Sequence, residues 1–199
     1  MEAGQRGRWR QKVPNWLSLA RLPLAVILCA GIAQQWWWGA LGVLAVAAAT
    51  DALDGWWARR YQAQSRWGRS LDPLTDKVLT STAFIYLSVT SEQTGIYPWM
   101  AAVIVARELL VTGLRGMVES EGAAFGADWG GKIKTITQFA VLVGVLVQQG
   151  LWTAGESYPA ELLHWPLRLL IGLMLAATVT SGLHYLVKAN RLLDESQLK

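Results

Sequence analysis

Six apolar runs, each about the length of a membrane-crossing helix, leave this chain few options. They fall at 15–35, 36–58, 72–91, 98–118, 131–150 and 165–187, with short polar pieces between them. A helix needs about 20 apolar residues to cross the hydrocarbon core. There it must satisfy its backbone hydrogen bonds internally. Composition agrees: 53% of residues are apolar and only 16% charged, against about 25% charged in soluble domains. The expected fold is an all-α integral membrane protein, a single domain over 1–199 with six transmembrane helices. Residues 1–14, with Arg6, Arg8, Trp9, Arg10 and Lys12, read as a short basic juxtamembrane helix on an anionic lipid surface. A cleaved signal peptide is the competing reading of the first run, but Asn15, Ser18, Arg21 and Pro23 do not suit a disposable apolar core.

Charge orients the helices. Fifteen of the 18 lysines and arginines lie in the N-terminal arm, the 59–71 loop with Lys77, the stretch from Arg115 through Lys134, and the tail. The connections near 35–38, 91–98 and 151–165 carry none. The positive-inside rule then puts both termini on the cytoplasmic side. Trp36, Trp37, Trp38, Trp99, Trp152 and Trp165 would ring the outer interface. Trp9, Trp16, Trp56, Trp57, Trp67 and Trp129 would ring the inner one, as an aromatic belt and not as a nucleic-acid surface. The single Cys29 lies in an apolar run and can form no disulfide within the chain.

Acids in such a chain are costly and mark function. Asp51 and Asp54 close the second run, and Asp72 and Asp76 open the third. On a helix, positions 51, 54, 55 and 58 share one face, two acids beside Gly55 and Ala58. Asp72 and Asp76, four apart, share another. Four carboxylates beside a small-residue hollow call for cations. Hard oxygen ligands suit Mg²⁺, Mn²⁺ or Ca²⁺, and Mg²⁺ favours a few carboxylates plus a substrate's phosphates. This points to a two-metal site for a phosphate-bearing ligand at the cytoplasmic membrane edge. Simple pairing of these acids with Arg59, Arg60, Arg66, Arg69 and Lys77 is the blander alternative.

Written with gaps, Asp51 to Asp76 is D-x2-D-G-x2-A-R-x8-G-x3-D-x3-D. It resembles the signature of the CDP-alcohol phosphatidyltransferases, with every defined position filled. The resemblance implies that Asp51, Asp54, Asp72 and Asp76 hold two divalent cations, Mg²⁺ or Mn²⁺, gripping the diphosphate of CDP-diacylglycerol. Asp76 would also be the general base. Gly55 would admit the nucleotide close to the backbone, beside Ala58. Arg59 would meet the phosphates, and Gly68 would shape the cytoplasmic turn. A homodimer is implied by the family alone.

The acceptor half is less explicit. Arg107 and Arg115 in the fourth run, with Lys132 and Lys134 at the start of the fifth, suit a second phosphate. Lys132 follows Gly130 and Gly131 at a helix start, where free N–H groups favour anions. Membrane-edge lysines obeying the charge rule are the alternative. Arg107 lies deep in its run and needs an acid or a phosphate. Glu108, two turns from Arg115, would reach it only through a bridge. ARELLVTGLRGMVESEG (106–122), WGGKIKTITQ (129–138) and PNWLSLARLPLA (14–25) resemble the corresponding segments of bacterial phosphatidylglycerophosphate synthases. That likeness implies transfer of a phosphatidyl group to sn-glycerol 3-phosphate at the bacterial inner membrane. Arg107, Arg115, Lys132 and Lys134 would then hold the acceptor phosphate, and Asn15 and Arg21 are possible lipid or nucleotide contacts. Gly126, Gly130 and Gly131 read as a tight loop. His164 and His184 show no metal-ligand spacing.

Three alternatives stand beside this. Inositol phosphate or another alcohol could replace glycerol 3-phosphate, since the motif encodes the donor half only. A cation transporter also uses intramembrane carboxylates, but near the bilayer midplane on broken helices. A polyprenyl transferase would separate its aspartate clusters more widely.

Overall fold

The computed structural model describes residues 19–61, 66–120 and 129–197, and every extended element among them is helical. In chain order they are α1 (Leu19–Ala33), α2 (Trp37–Tyr61), α3 (Arg66–Val89), α4 (Ser91–Thr94), α5 (Pro98–Ser120), α6 (Trp129–Thr153) and α7 (Ser157–Gln197). The basic arm at 1–14, Asn15 and Gly126 lie outside the described residues. The chain forms two compact units, Met1–Tyr86 and Leu87–Lys199.

Several helices run further than their apolar cores. α2 continues to Tyr61 and α3 begins at Arg66, so most of the loop expected at 59–71 is helical. Polar residues at a helix end that leaves hydrocarbon do not break the helix. Gly55 costs only about 1 kcal/mol there. The connection expected near 151–165 shrinks to three residues because α7 starts at Ser157. Pro159 lies in its first turn, where a missing N–H is tolerated, and the helix continues through Pro166. At 41 residues α7 is about 60 Å long, roughly twice the hydrocarbon thickness.

In the first unit each helix buries one face. Ala25, Leu28, Cys29 and Ile32 of α1 follow helical spacing, as do Trp37, Ala40, Leu44 and Ala47 of α2. α3 contributes Thr75, Leu79 and Ala83 at four-residue steps, with Phe84 beside them. The Cys29 thiol meets the Thr82 hydroxyl between α1 and α3. Trp37 is only 3% exposed, so it packs inside and does not join the aromatic ring expected for it. The α1–α2 turn is a Schellman motif: Trp36 N–H donates to Gly31 C=O at 2.8 Å and Gln35 N–H to Ile32 C=O at 3.0 Å. Gln35 is left-handed there, with φ 57°. A Cβ on Gly39 would run into the Trp36 indole folded over it.

The second unit is built on α5, α6 and α7. Their buried residues repeat at alternating steps of three and four, the pattern of near-parallel helix packing. On α7 the stripe is Leu167, Ile171, Met174, Thr178, Ser181 and Tyr185; on α5 it is Ala101, Ile104, Glu108 and Val111. Toward one end Val111, Val118, Tyr185 and Ala189 form an apolar cluster. The α6–α7 turn repeats the Schellman pattern, Glu156 N–H to Leu151 C=O at 3.0 Å, with Gly155 at φ 82°. α4 is tied back to the end of α3 by the Thr94 hydroxyl, which donates to Leu87 C=O at 2.8 Å.

Opposite these stripes the surface is apolar. Leu109, Ile136, Leu162, Leu169 and Leu173 are all more than half exposed, as suits contact with lipid and not water. Among the described residues, α6 and Ser157–Leu192 of α7 are long and apolar enough to cross a membrane. Leu19–Ala33, Trp37–Leu53 and Lys77–Val89 are shorter apolar helices. α5 interrupts its apolar run with Arg107, Glu108 and Arg115.

Two outcomes test this packing by thermal unfolding in detergent. Gln35→Gly removes the cost of a left-handed side-chain-bearing residue and raises stability by about 1 kcal/mol; a lower melting temperature would contradict the turn. Met174, fully buried, loses about 2–5 kcal/mol on change to Ala. Its neighbour Leu173, 54% exposed, loses less than about 1 kcal/mol.

Candidate active site

The aspartate motif occupies the end of α2 and the beginning of α3, both in the first unit. Asp51, Asp54, Gly55, Ala58 and Arg59 lie on the last three turns of α2, in a continuous helix that keeps the expected one-face spacing. Asp72 and Asp76 lie one turn apart on α3. Gly68 is the third residue of α3 and therefore helical, not part of the turn expected for it. Of these residues only Asp51 has a described side chain; the others are placed by their backbone.

Asp51 presents a carboxylate that is 56% exposed, and its Oδ1 accepts from Arg21 Nη2 at 2.8 Å. Arg21 on α1 is itself 2% exposed. Arg21 therefore does not snorkel to the surface; it is buried with its charge matched by the first acid of the motif. A carboxylate has about four lone-pair sites, and one is used, so Asp51 keeps oxygen available at an open surface. Exposed hard oxygen of this kind, with Asp54 on the same helix face and Asp72 and Asp76 one turn apart, suits Mg²⁺ or Mn²⁺.

A second charged cluster is built inside the second unit. Glu108 of α5 is 3% exposed, and its Oε1 accepts from both Arg107 Nη1 at 3.1 Å and Lys134 Nζ of α6 at 2.5 Å. Arg107 Nη2 donates to Ser181 Oγ of α7 at 3.2 Å. The Arg107 guanidinium lies 5.5 Å from the Tyr185 ring centroid. A Cβ on Gly182 would lie 3.2 Å from the Arg107 stem, so a glycine keeps α7 close to it. Arg107 Nε and Gln138 Nε2 are buried donors without acceptors. Gln138 stands one turn beyond Lys134 on α6, on the same face. One buried carboxylate oxygen thus faces two cations. Deleting one partner of such a buried group typically costs 3–5 kcal/mol, about what a stranded charge demands.

Of the four expected acceptor cations, the structure brings Arg107 and Lys134 together on one carboxylate oxygen. Arg115 lies two turns on along the same stripe of α5, half-buried. Lys132 points elsewhere: it is exposed, with Nζ 4.9 Å from the Trp129 ring centroid. Gly130 and Gly131 belong to the first turn of α6 and not to a loop. A Cβ at Gly131 would press on the Tyr185 hydroxyl at 3.2 Å. Glu108 serves Arg107 and Lys134, which differs from the expected bridge to Arg115. Sequence spacing missed this because adjacent residues do not face each other on an ideal helix, and Arg107 reaches its neighbour only by folding back. Ser181 and Tyr185 were missed as well. Their signal was polar residues recurring at three- and four-residue steps in an apolar helix, Thr178, Ser181 and Tyr185. Beside them a cleft of about 340 Å³ is lined by Gly130, Ile133, Ala177, Thr180, Ser181 and His184.

Comparison with known proteins identifies the family. Residues 11–182 match the family described as CDP-alcohol phosphatidyltransferase. A Bacillus subtilis (strain 168) protein named CDP-diacylglycerol–glycerol-3-phosphate 3-phosphatidyltransferase is 33% identical over 193 residues, covering 88% of this chain and 94% of that protein. A Yersinia pestis (strain Pestoides F) protein of the same name is 32% identical over 139 residues, covering 67% of this chain and 76% of that one. A chloroplastic rice protein (Oryza sativa subsp. japonica) named as form 1 of that enzyme is 28% identical over 206 residues, covering 92% and 60%. The motif from Asp51 to Asp76 lies wholly inside the matched stretch. An all-helical membrane protein that carries this motif complete at the junction of two helices, the chain belongs to the CDP-alcohol phosphatidyltransferase family.

Proposed function

We propose that the chain transfers the phosphatidyl group of CDP-diacylglycerol to sn-glycerol 3-phosphate, giving phosphatidylglycerol phosphate and CMP. The donor half follows from the family. The acceptor half is carried by one observation, the buried Arg107–Lys134 pair joined at Glu108. Fixed buried cations suit a phosphorylated acceptor; choline brings no anion, and serine brings a single carboxylate accompanied by its own ammonium. The names of the relatives point to the same acceptor.

In this reading Asp51, Asp54, Asp72 and Asp76 hold two divalent cations, Mg²⁺ or Mn²⁺, which when bound offset the diphosphate charge and favour departure of CMP. Arg59 meets the phosphates and Gly55 and Ala58 leave room for the nucleotide, with Gly68 helical nearby on the chain. Arg21 holds Asp51 in place from behind. Arg107 and Lys134, with Arg115 as a further cation, hold the acceptor's phosphate. Asp76 takes the proton of the acceptor's free primary hydroxyl. The hydroxyl oxygen forms a bond to the phosphorus of the phosphatidyl group as the bond from that phosphorus to the CMP oxygen breaks. No Ser or Cys in a nucleophile setting suggests a covalent intermediate. α1, α2, α3, α5, α6 and α7 would be the six crossings of one domain in the bacterial inner membrane, with termini and motif cytoplasmic and a homodimer as the assembly.

The test is CMP release from CDP-diacylglycerol by protein purified in detergent with Mg²⁺ or Mn²⁺. Glycerol 3-phosphate, inositol phosphate, serine and phosphatidylglycerol are supplied one at a time. Release with glycerol 3-phosphate alone is expected, abolished by chelator and reduced at least about 100-fold by Asp76→Asn. Release with a different acceptor would overturn the acceptor assignment while leaving the metal site in place. Arg21→Met is expected to raise the Mg²⁺ concentration for half-maximal rate about tenfold, because Asp51 loses a charge-assisted hydrogen bond. An unchanged Mg²⁺ titration would separate Arg21 from the metal site.

A further inference from the structure

Glu108 is a puzzle for a site meant to hold phosphate, since a buried carboxylate repels the anion the site must attract. We propose that Glu108 is a positioning residue for the acceptor phosphate, fixing Arg107 and Lys134 through its single oxygen Oε1; this rests on the acceptor reading above. Two cations this deeply buried cannot stand side by side without a counter-charge. Glu108 supplies it from 3.1 Å and 2.5 Å, and the repulsion it adds is the cost of holding both. Lys134 rides on a flexible four-carbon stem, and the Glu108 contact ties its ammonium to the oxygen that also holds the Arg107 fork. Ser181 restrains the other arm of that fork from α7 at 3.2 Å. So α5, α6 and α7 each contribute to one fixed geometry.

That geometry is still short of acceptors. Arg107 Nε and Gln138 Nε2 are buried donors with nothing to donate to. Buried donors left unmatched are costly. Phosphate oxygens, which accept hydrogen bonds and carry charge, are the chemistry that would match them.

The experiment measures CMP release at varied glycerol 3-phosphate and varied CDP-diacylglycerol for the full-length wild type and Glu108→Gln, which keeps shape and removes charge. The KM for glycerol 3-phosphate is expected to rise at least about tenfold, with the KM for CDP-diacylglycerol within about twofold of wild type. A lower glycerol 3-phosphate KM would mean that Glu108 only repels the anion, and would overturn the proposal. So would a parallel loss in both KM values, kcat and melting temperature, which is what general destabilisation produces. Combining Glu108→Gln with Lys134→Met should add little to Lys134→Met alone; full additivity overturns action through Lys134. Should Glu108→Gln not give monodisperse protein, Ser181→Ala carries the test through the other arm of Arg107, with a glycerol 3-phosphate KM about threefold higher expected and an unchanged one counting against the fixed geometry. A wild type inactive with glycerol 3-phosphate overturns this inference and the proposed function together. An active wild type with an unaltered Glu108→Gln KM overturns this inference alone.

Discussion

Charge buried in a helical membrane protein has to be matched by charge within the protein, because lipid offers it no solvation. Both charged sites here obey that constraint. Arg21 is withdrawn from solvent and answered by Asp51. Arg107 and Lys134 are withdrawn and answered by Glu108. In each case the match ties neighbouring helices through residues well separated in sequence: α1 to α2 in the first unit, α5 to α6 in the second, with α7 joined through Ser181. Electrostatic neutrality and tertiary structure are therefore the same set of contacts. A helix that drifted would strand a charge as well as lose packing.

The turns complement this by leaving little slack. Gln35, Gly95 and Gly155 all adopt the left-handed conformation, and each reverses the chain within a few residues. In two of them the 6→1 and 5→2 hydrogen bonds satisfy the helix carbonyls that would otherwise face lipid or interface. Such turns set the register between consecutive helices. That register is what lets Lys134, near the start of α6, reach Glu108 while Ser181, well along α7, reaches the adjacent Arg107.

Much of this was legible in the sequence. The apolar runs located the helical cores, and the spacing of Asp51, Asp54, Asp72 and Asp76 located the motif on two helices. The likeness carried by those residues identified the family. What spacing could not convey was where polar helix ends stop. Arg59, Arg60 and Arg66 look like loop residues by composition, yet they extend α2 and α3, because polarity ends a membrane core without ending a helix. Nor could it pair the charges. Glu108 sits beside Arg107 in sequence and 26 residues from Lys134, and only the docking of α5 on α6 and α7 makes one oxygen serve both. Trp37 shows the same limit from the other side: three consecutive tryptophans read as one belt, but a helix turns about 100° per residue and carries the middle one inward.

The Cys29 thiol, 6% exposed and held against Thr82, is the sole sulfhydryl in 199 residues. A maleimide in water would not reach it without unfolding the first unit. The natural chain is thus its own cysteine-silent background. A thiol introduced at an exposed turn such as Gln35 or Glu156 could be labelled from one side of a sealed vesicle without first removing any native residue. The packing that hides one sulfur makes the rest of the surface addressable one position at a time.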